Sequence, residues 1–474
     1  MKHTTIWSAA LGLALVLASS HALAAEAGPT AGQRAFREIF RELVETDTSV
    51  ATGSCTALAE KVSARFRAAG FGEDQITQFR DDALPLDGGV VITVPGTSAK
   101  AKPMLLLGHL DVVNARRSDW TRDPYQFIEE DGYFYGRGTS DMKVLDAIWI
   151  DTLLRFRAEG FRPKRTIRLA LTCGEESGAR MNGVQWLAQH RPELLAAEFA
   201  LNEGGGGTTD GHGKVLSQAM QIGEKGNRNF ELEATNPGGH SSMPVDDNAI
   251  YELSDAIQRV RAFRFPVHFN DTTRAYFAKV GAARGDALGA AMARLAADPA
   301  DKTAEAEVAG DRTLNAMVRT TCVATMLEGG HAANALPQRA KANINCRIVP
   351  GEDADTTRAA LVKAIGDPGV SASLVGRVRP LAVPPPLDPR IMGHAEKLLT
   401  SYYPGVPLVP AMMTGATDAT YLGPLGIPTY GVPGPLSDPD GNGLHGLNER
   451  HAVQSAYVAR DFLHDLVKDY AAQE

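Results

Sequence analysis

The chain has 474 residues, with 48 Lys and Arg against 56 Asp and Glu, a formal charge of −8 and 44% hydrophobic residues. This is the composition of a globular enzyme, not of a fibre or a disordered chain, and an acidic balance with no basic run interleaved with aromatics argues against a nucleic-acid partner. Four cysteines, Cys55, Cys173, Cys322 and Cys346, are too few and too scattered for a disulfide scaffold, and without a C-x-x-C pair any metal has to be held by histidine and carboxylate.

At the amino terminus Met1-Lys2-His3 precedes an apolar run over 6–18 and then Ser19-Ser20-His21-Ala22-Leu23-Ala24, the layout of a signal peptide. Cleavage near Ala24 is expected to give a secreted or periplasmic protein. The apolar run is shorter than the roughly 20 residues of a spanning helix, so no stable membrane anchor is expected. The mature chain of about 450 residues exceeds what one core supports and predicts two domains or more.

Short apolar runs at 90–94, 104–107, 166–172 and 196–201 alternate with helical stretches at 145–156 and 183–189, the pattern of βα units around a largely parallel sheet. After Gly223 the pattern changes. Residues 229–234 alternate as a half-exposed strand would, 248–263 read as a helix, and 321–326 and 340–348 as two more strands. Residues 282–309, rich in Ala, Asp and Lys, read as helix and surface loop with no functional signal. From about Pro380 the α/β pattern returns through a proline-rich connector at 380–386, a helix at 390–400 and a last helix at 453–471. The expected organisation is a signal peptide at 1–24, a catalytic domain in two parts at 25–223 and 353–474, and an α+β domain at 224–352 inserted between them.

The polar residues of interest follow the apolar runs directly: His109 and Asp111 after 104–107, Glu175 and Glu176 after 166–172, Glu203 after 196–201. In an open α/β sheet, ligands bind in the crevice beyond the carboxyl ends of the strands. Clustered carboxylates raise one another's pKa unless a cation neutralises them, and imidazole with carboxylate is a donor set suited to zinc. Singly, each residue has a plain reading: a histidine after a strand is usually a surface or core residue, a Glu-Glu pair a solvated face, and 204–207 a flexible loop. Their ordered recurrence at strand ends carries the metal reading. The chain has no His-Glu-x-x-His, no G-x-S-x-G, no phosphate-binding loop and no dinucleotide fingerprint, and Gly138-Thr139-Ser140-Asp141-Met142 lacks the closing glycine of a serine elbow.

Together, Gly108-His109-Leu110-Asp111-Val112-Val113, Trp120 with Asp123-Pro124-Tyr125, Gly136-Arg137-Gly138-Thr139-Ser140-Asp141-Met142-Lys143, Glu175-Glu176-Ser177-Gly178, Asn202-Glu203-Gly204 and His445-Gly446-Leu447-Asn448-Glu449 resemble the M20 metallopeptidase family over nearly the whole mature chain. The layout is most similar to its carboxypeptidase S-like branch. The resemblance implies a zinc-exopeptidase-like α/β fold with a mixed, largely parallel sheet and an inserted α+β lid or dimerisation domain. It implies two divalent metal ions, Zn2+ with Co2+ or Mn2+ as alternatives, bridged by Asp141, one held by His109 and Glu203 and the other by Glu176 and His445. It further implies that Asp111 orients His109, that Glu175 is the general base, and that the Asp141-Met142 peptide bond is cis.

Other positions carry over from the same resemblance. His240, in Asn236-Pro237-Gly238-Gly239-His240-Ser241, is similar to a lid histidine that donates to the oxyanion, in dimeric relatives from the neighbouring subunit; its plain reading is a turn histidine. Arg347 and Asn334 are similar to residues that grip a substrate carboxylate, for which the planar arginine fork is suited; the plain reading of Arg347 is an exposed strand charge. Gly415 belongs to a substrate-lining loop at 415–418. Two departures from the family pattern, Gly174 and Asn114, remove no ligand. Relatives with Glu at the position of Glu203 are carboxypeptidases and deacylases, those with Asp aminopeptidases. The expected function is therefore cleavage of a terminal peptide bond or of an N-acyl amino acid's amide, with a dipeptidase or aminopeptidase, or an inactive binding homologue, as alternatives. A homodimer through the lid is expected, and Cys322 and Cys346, in two candidate strands, are expected to be bridged if those strands pair in an oxidising compartment.

Overall fold

Alternation of side chains across a buried strand sets the architecture. Every residue of the strand Met104–His109 is buried; Met104 and Leu106 enter one core, Leu105 and Leu107 the other. The computed structural model describes residues 28–176 and 181–474, and the expected signal peptide lies outside the described residues. The main sheet runs in the order Ile76–Asp81, Leu84–Val94, Ile167–Thr172, Met104–His109, Phe199–Asn202, Thr429–Gly431, Val215–Glu224, Gly206–Thr209, Leu436–Ser437, with Leu408–Met413 paired to Val215–Glu224. Its central four strands, Ile167–Thr172 to Thr429–Gly431, are parallel, so their carboxyl ends open on one side.

Helices cover both faces. Phe36 and Leu58, from Ala31–Glu45 and Cys55–Ala68, join Trp149 and Phe462, from Lys143–Glu159 and Val453–Ala471, in the larger core. Gly183–His190 and Ala419–Leu422 supply Val184, Leu187 and Tyr421 to the other. Lys143–Glu159 is buried around most of its circumference, as suits a helix wedged between sheet and outer helices. It stops at Gly160, whose φ of 67° lets Phe161 N–H bond back to Phe156 O at 2.9 Å.

The second sheet is antiparallel throughout, in the order Thr321–Gly329, Arg339–Ile348, Gly226–Thr235, Val370–Val375. Ala340, Ala342, Ile344 and Ile348 alternate inward to meet Phe230 and Leu232 beneath the helices Ala249–Ala262 and Ala354–Ile365. The opposite face is amide-rich: Asn345 donates to Asn227 and Asn229 at 2.7 and 2.9 Å. This unit ends after Val375 and not at the expected 352, because Ala354–Ile365 packs on the sheet and Val370–Val375 pairs with Gly226–Thr235. Residues 271–317 form four further helices around Phe277, Met292 and Leu295. The outer strand Thr321–Gly329 exposes Val323, Met326 and Leu327.

All four cysteines are paired. Cys322 faces Cys346 in register and is bridged to it, as expected. The second bridge, Cys55–Cys173, corrects the reading of scattered cysteines: 118 residues separate the two in sequence, yet their Cα atoms lie 6.0 Å apart. It ties the start of the helix Cys55–Ala68 to the residue after the strand Ile167–Thr172. No helix among the described residues is long and apolar enough to cross a membrane.

Candidate metal centre

Three parallel strands deliver four of the polar groups by termination alone. His109 closes Met104–His109, Glu203 follows Phe199–Asn202, and Glu175 and Glu176 lie just beyond Ile167–Thr172. Asp141 stands at the start of Lys143–Glu159, and its peptide bond to Met142 is cis, as expected. His445 comes from an irregular loop near the carboxyl terminus.

These groups divide into two sets around Asp141. Its Oδ1 lies 3.2 Å from His109 Nε2, which is 3.6 Å from Glu203 Oε1. Its Oδ2 lies 2.9 Å from His445 Nε2, which is 3.0 Å from Glu176 Oε1. Donor atoms of His109, Asp141 and Glu176 all fall within 4.8 Å of one another, and so do those of His109, Glu175 and Glu203.

Asp111 acts differently from expectation. Its main-chain oxygen, 3.0 Å from His109 Nδ1, accepts a hydrogen bond from Nδ1–H, which keeps the proton on that nitrogen and leaves Nε2 free for a cation. Its carboxylate accepts instead from Gly174 N–H at 2.7 Å, Glu175 N–H at 3.3 Å and Glu176 N–H at 3.1 Å. It fixes the turn that carries the two glutamates.

The charges do not balance within the chain. Burial pushes Glu203 up to about 7 and raises Glu176, and burial with the Glu203 charge raises Glu175 well above the usual carboxylate range. The Asp141 and Glu176 carboxylates pull His445 up to about 10. Against burial, Glu203 and Asp141 lift His109 as well. Asp141 alone is held below the usual carboxylate range, against burial, by the two imidazoles. A cluster whose glutamates resist ionising while its imidazoles hold protons lacks positive charge, and two divalent cations on this nitrogen and oxygen set would supply it.

Residues 105–469 match the profile of peptidase family M20/M25/M40, well over half of the chain. The chain belongs to this family. A relative from Xenopus tropicalis, an N-fatty-acyl-amino acid synthase/hydrolase, is 28% identical over 79% of the M20 chain and 74% of its own. A probable carboxypeptidase S-like protein from Dictyostelium discoideum is 27% identical over 89% of the chain and 86% of its own. Among solved structures, an M20 family metallo-carboxypeptidase from Sulfolobus solfataricus superposes with a TM-score of 0.69 at 18% identity, covering 92% of this chain and 99% of that one; at that identity the likeness is one of fold.

In this M20 hydrolase the centre opens into a cavity of about 430 Å3, lined also by Met413, Gly415, Ala416, Val432 and Leu444. Gly415 thus lines the cavity. Arg347 does not line the cavity; it stands half-buried on the amide-rich face of the second sheet, opposite Asn227 and Thr321, with no ion pair among the described residues. His240, in the short strand Gly239–His240, and Asn334, on the turn before its partner strand Ala335–Leu336, are exposed; Ser241 N–H donates to Asn334 O at 3.1 Å, and within one chain neither residue lines the cavity.

Sequence reasoning misses two contacts. Arg379, from the connector after the second sheet, donates to the main-chain oxygen of Glu175 at 3.2 Å, with its other arm 3.9 Å from Oε1. Glu449, quoted only as a motif residue, is wholly buried beneath the Asp141 loop. Neither has a local pattern to give it away, since each acts on residues far off in the chain.

Proposed function

We propose that this M20 hydrolase holds two divalent cations, zinc by its donor set, and cleaves a terminal peptide bond or the amide of an N-acyl amino acid that bears a free carboxylate. The observation that carries the reading is the division of Asp141: each oxygen faces a different histidine, and each histidine has its own glutamate. When bound, such ions lower the pKa of water and polarise the scissile carbonyl. Glu175 is the chain's general base. It is buried at the centre, and its carboxylate has no hydrogen bond among the described residues, so it is free to take the proton of the attacking water and return it to the leaving amine.

Arg347, without an ion pair among the described residues, offers its planar fork to the substrate's carboxylate from the second unit, outside the cavity wall itself. The apolar wall of Met413, Ala416, Val432 and Leu444 favours an apolar acyl group or side chain. The activities of the relatives, carboxypeptidase and N-fatty-acyl-amino acid hydrolase, support both halves of the reading. The signal-peptide layout at 1–24 and the paired cysteines support action in a secreted or periplasmic setting, and the exposed apolar strand Thr321–Gly329 supports a homodimer through the second sheet, a lid in this reading. The test is hydrolysis of matched N-acyl amino acids and dipeptides, with the carboxylate free or amidated, before and after chelation. Turnover of free-carboxylate substrates that vanishes on chelation is expected; equal turnover of amidated substrates would sink the specificity.

A further inference from the structure

Glu449 is 309 residues from Ser140 in sequence, yet its carboxylate accepts from four donors around the Asp141 loop. Oε1 takes Ser140 N–H at 2.8 Å and Asp141 N–H at 3.0 Å; Oε2 takes Gly138 N–H at 3.0 Å and Arg137 Nη1 at 2.7 Å. Arg137 donates with its other arm to Gly446 O at 2.7 Å and lies 4.9 Å over the Trp120 ring. Both side chains are almost fully buried, at 3% and 1% exposure.

The loop that these contacts reach is irregular, held within itself by short turns such as Gly446 N–H to Gly443 O at 2.8 Å, and strained at three positions. Asn442, His445 and Asn448 take φ of 57°, 56° and 52°, the left-handed region that non-glycine residues avoid, and the His445 side chain is 51% exposed. The other metal position is built differently. His109 belongs to a central strand, with Nδ1 fixed on Asp111 O, and Glu203 follows the neighbouring strand. The cation position of His445 and Glu176 thus takes both its histidine and its Asp141 oxygen from the fastened loops, whereas the position of His109 and Glu203 takes only its Asp141 oxygen from them.

We propose that Arg137 and Glu449 form a latch that sets Asp141 and His445 in place for the second cation. The inference rests on the two-cation reading. The latch residues are positioning residues: they touch no reacting atom and act through the backbone of the loops they join.

The test uses Glu449→Gln and Arg137→Lys. Whichever way the substituted amide turned, its NH2 group would meet donors where the carboxylate has acceptors. Arg137→Lys keeps a cation beside Glu449 and loses the arm to Gly446. Metal-free protein is titrated with Zn2+ and with Mn2+, equivalents retained after dialysis are counted, and circular dichroism and the melting temperature of the metal-free form are recorded. The wild type is expected to hold two equivalents. Each folded variant is expected to hold one after dialysis, with affinity for the second lowered about 10–100-fold and the first lowered much less, since the two positions share only Asp141. Two equivalents at wild-type affinity in both variants, or equal loss at both positions, overturns the latch; a lower melting temperature with unchanged affinities does too, since a purely structural pair would give that. Should Glu449→Gln not fold, Arg137→Lys decides alone. One equivalent in the wild type overturns the two-cation reading, and the latch with it.

Discussion

Replacing Glu175 by Gln separates base from ligand. The carboxylate of Glu175 has no hydrogen bond among the described residues; the nearest cation, Arg379 Nη1, is 3.9 Å away, and the firmer Arg379 contact is to the main-chain oxygen, which the substitution leaves alone. Glutamine fills the same volume, so fold and metal content should stay at wild-type levels. What disappears is the ability to accept a proton. General-base contributions run to about 10²–10⁴-fold, and a base acting twice, on water and then on the leaving amine, belongs near the top of that range; that is roughly 3–5 kcal/mol of lost transition-state stabilisation. Glu176 is placed otherwise, with Oε1 3.0 Å from His445 Nε2. Glu176→Gln should therefore lose metal. The assay is kcat on an N-acyl amino acid beside metal content for both variants. Because Glu175 also comes within 4.8 Å of His109 and Glu203 donors, the roles are open to reversal: if Glu175→Gln sheds metal while Glu176→Gln retains two equivalents, the assignment is wrong.

Asp111→Asn puts an NH2 where an oxygen now accepts from the turn of Gly174, Glu175 and Glu176; a loss of about 2–4 kcal/mol in stability together with weakened metal binding is expected by denaturation and titration, and unchanged metal binding refutes the role. Arg347→Met should raise KM about 10–100-fold for free-carboxylate substrates with kcat nearly kept, the cost of losing a charge-assisted pair; an unchanged KM removes Arg347 from the carboxylate site. Burial pushes His451 down to about 4, below the ordinary value near 6.5, so the folded protein favours its neutral form: this contribution is complete above about pH 6.5 and fades as pH falls toward 4, up to ~3 kcal/mol. Melting of metal-free His451→Gln should accordingly be less pH-dependent over that window, and an identical slope counts against it. Cys55→Ser with Cys173→Ser should cost several kcal/mol, up to ~5 for a loop of this length in the chain-entropy account, read as a lower denaturation midpoint; no shift means the bridge does not constrain the unfolded chain.

Periodicity makes part of the site legible in the sequence. Runs such as 104–107 and 166–172 are apolar because both sheet faces are covered, so the ends of those strands, and with them His109, Glu175, Glu176 and Glu203, can be read directly. His445 has no such frame: its loop is irregular, and only the family resemblance points to it. The work of the Asp111 carboxylate and of Glu449 is hidden because both bond to main-chain N–H groups, which are the same at every position in a sequence. The Cys55–Cys173 bridge is hidden by its span. The second unit is cut short at 352 because the pairing of Val370–Val375 with Gly226–Thr235 is a long-range fact that nothing local in 353–375 announces.

That pairing also brings the way in and the way out of the second unit together. Asn229 lies opposite Val375, so the two crossings run on adjacent strands about 5 Å apart. Every candidate metal ligand, Glu175 and the Glu449 contacts lie outside the segment between them, while Arg347, His240 and Asn334 lie inside it. A short linker from Glu224 to the connector before Arg379 would remove those three residues and keep every candidate metal ligand in the chain, while losing the contacts that Lys279 makes with Leu408 and Glu396. If the proposed carboxylate role of Arg347 holds, exchange of the insert would be expected to change substrate preference while the metal ligands stay in place. An insert-free protein that no longer binds two equivalents of metal would show the two modules to be inseparable.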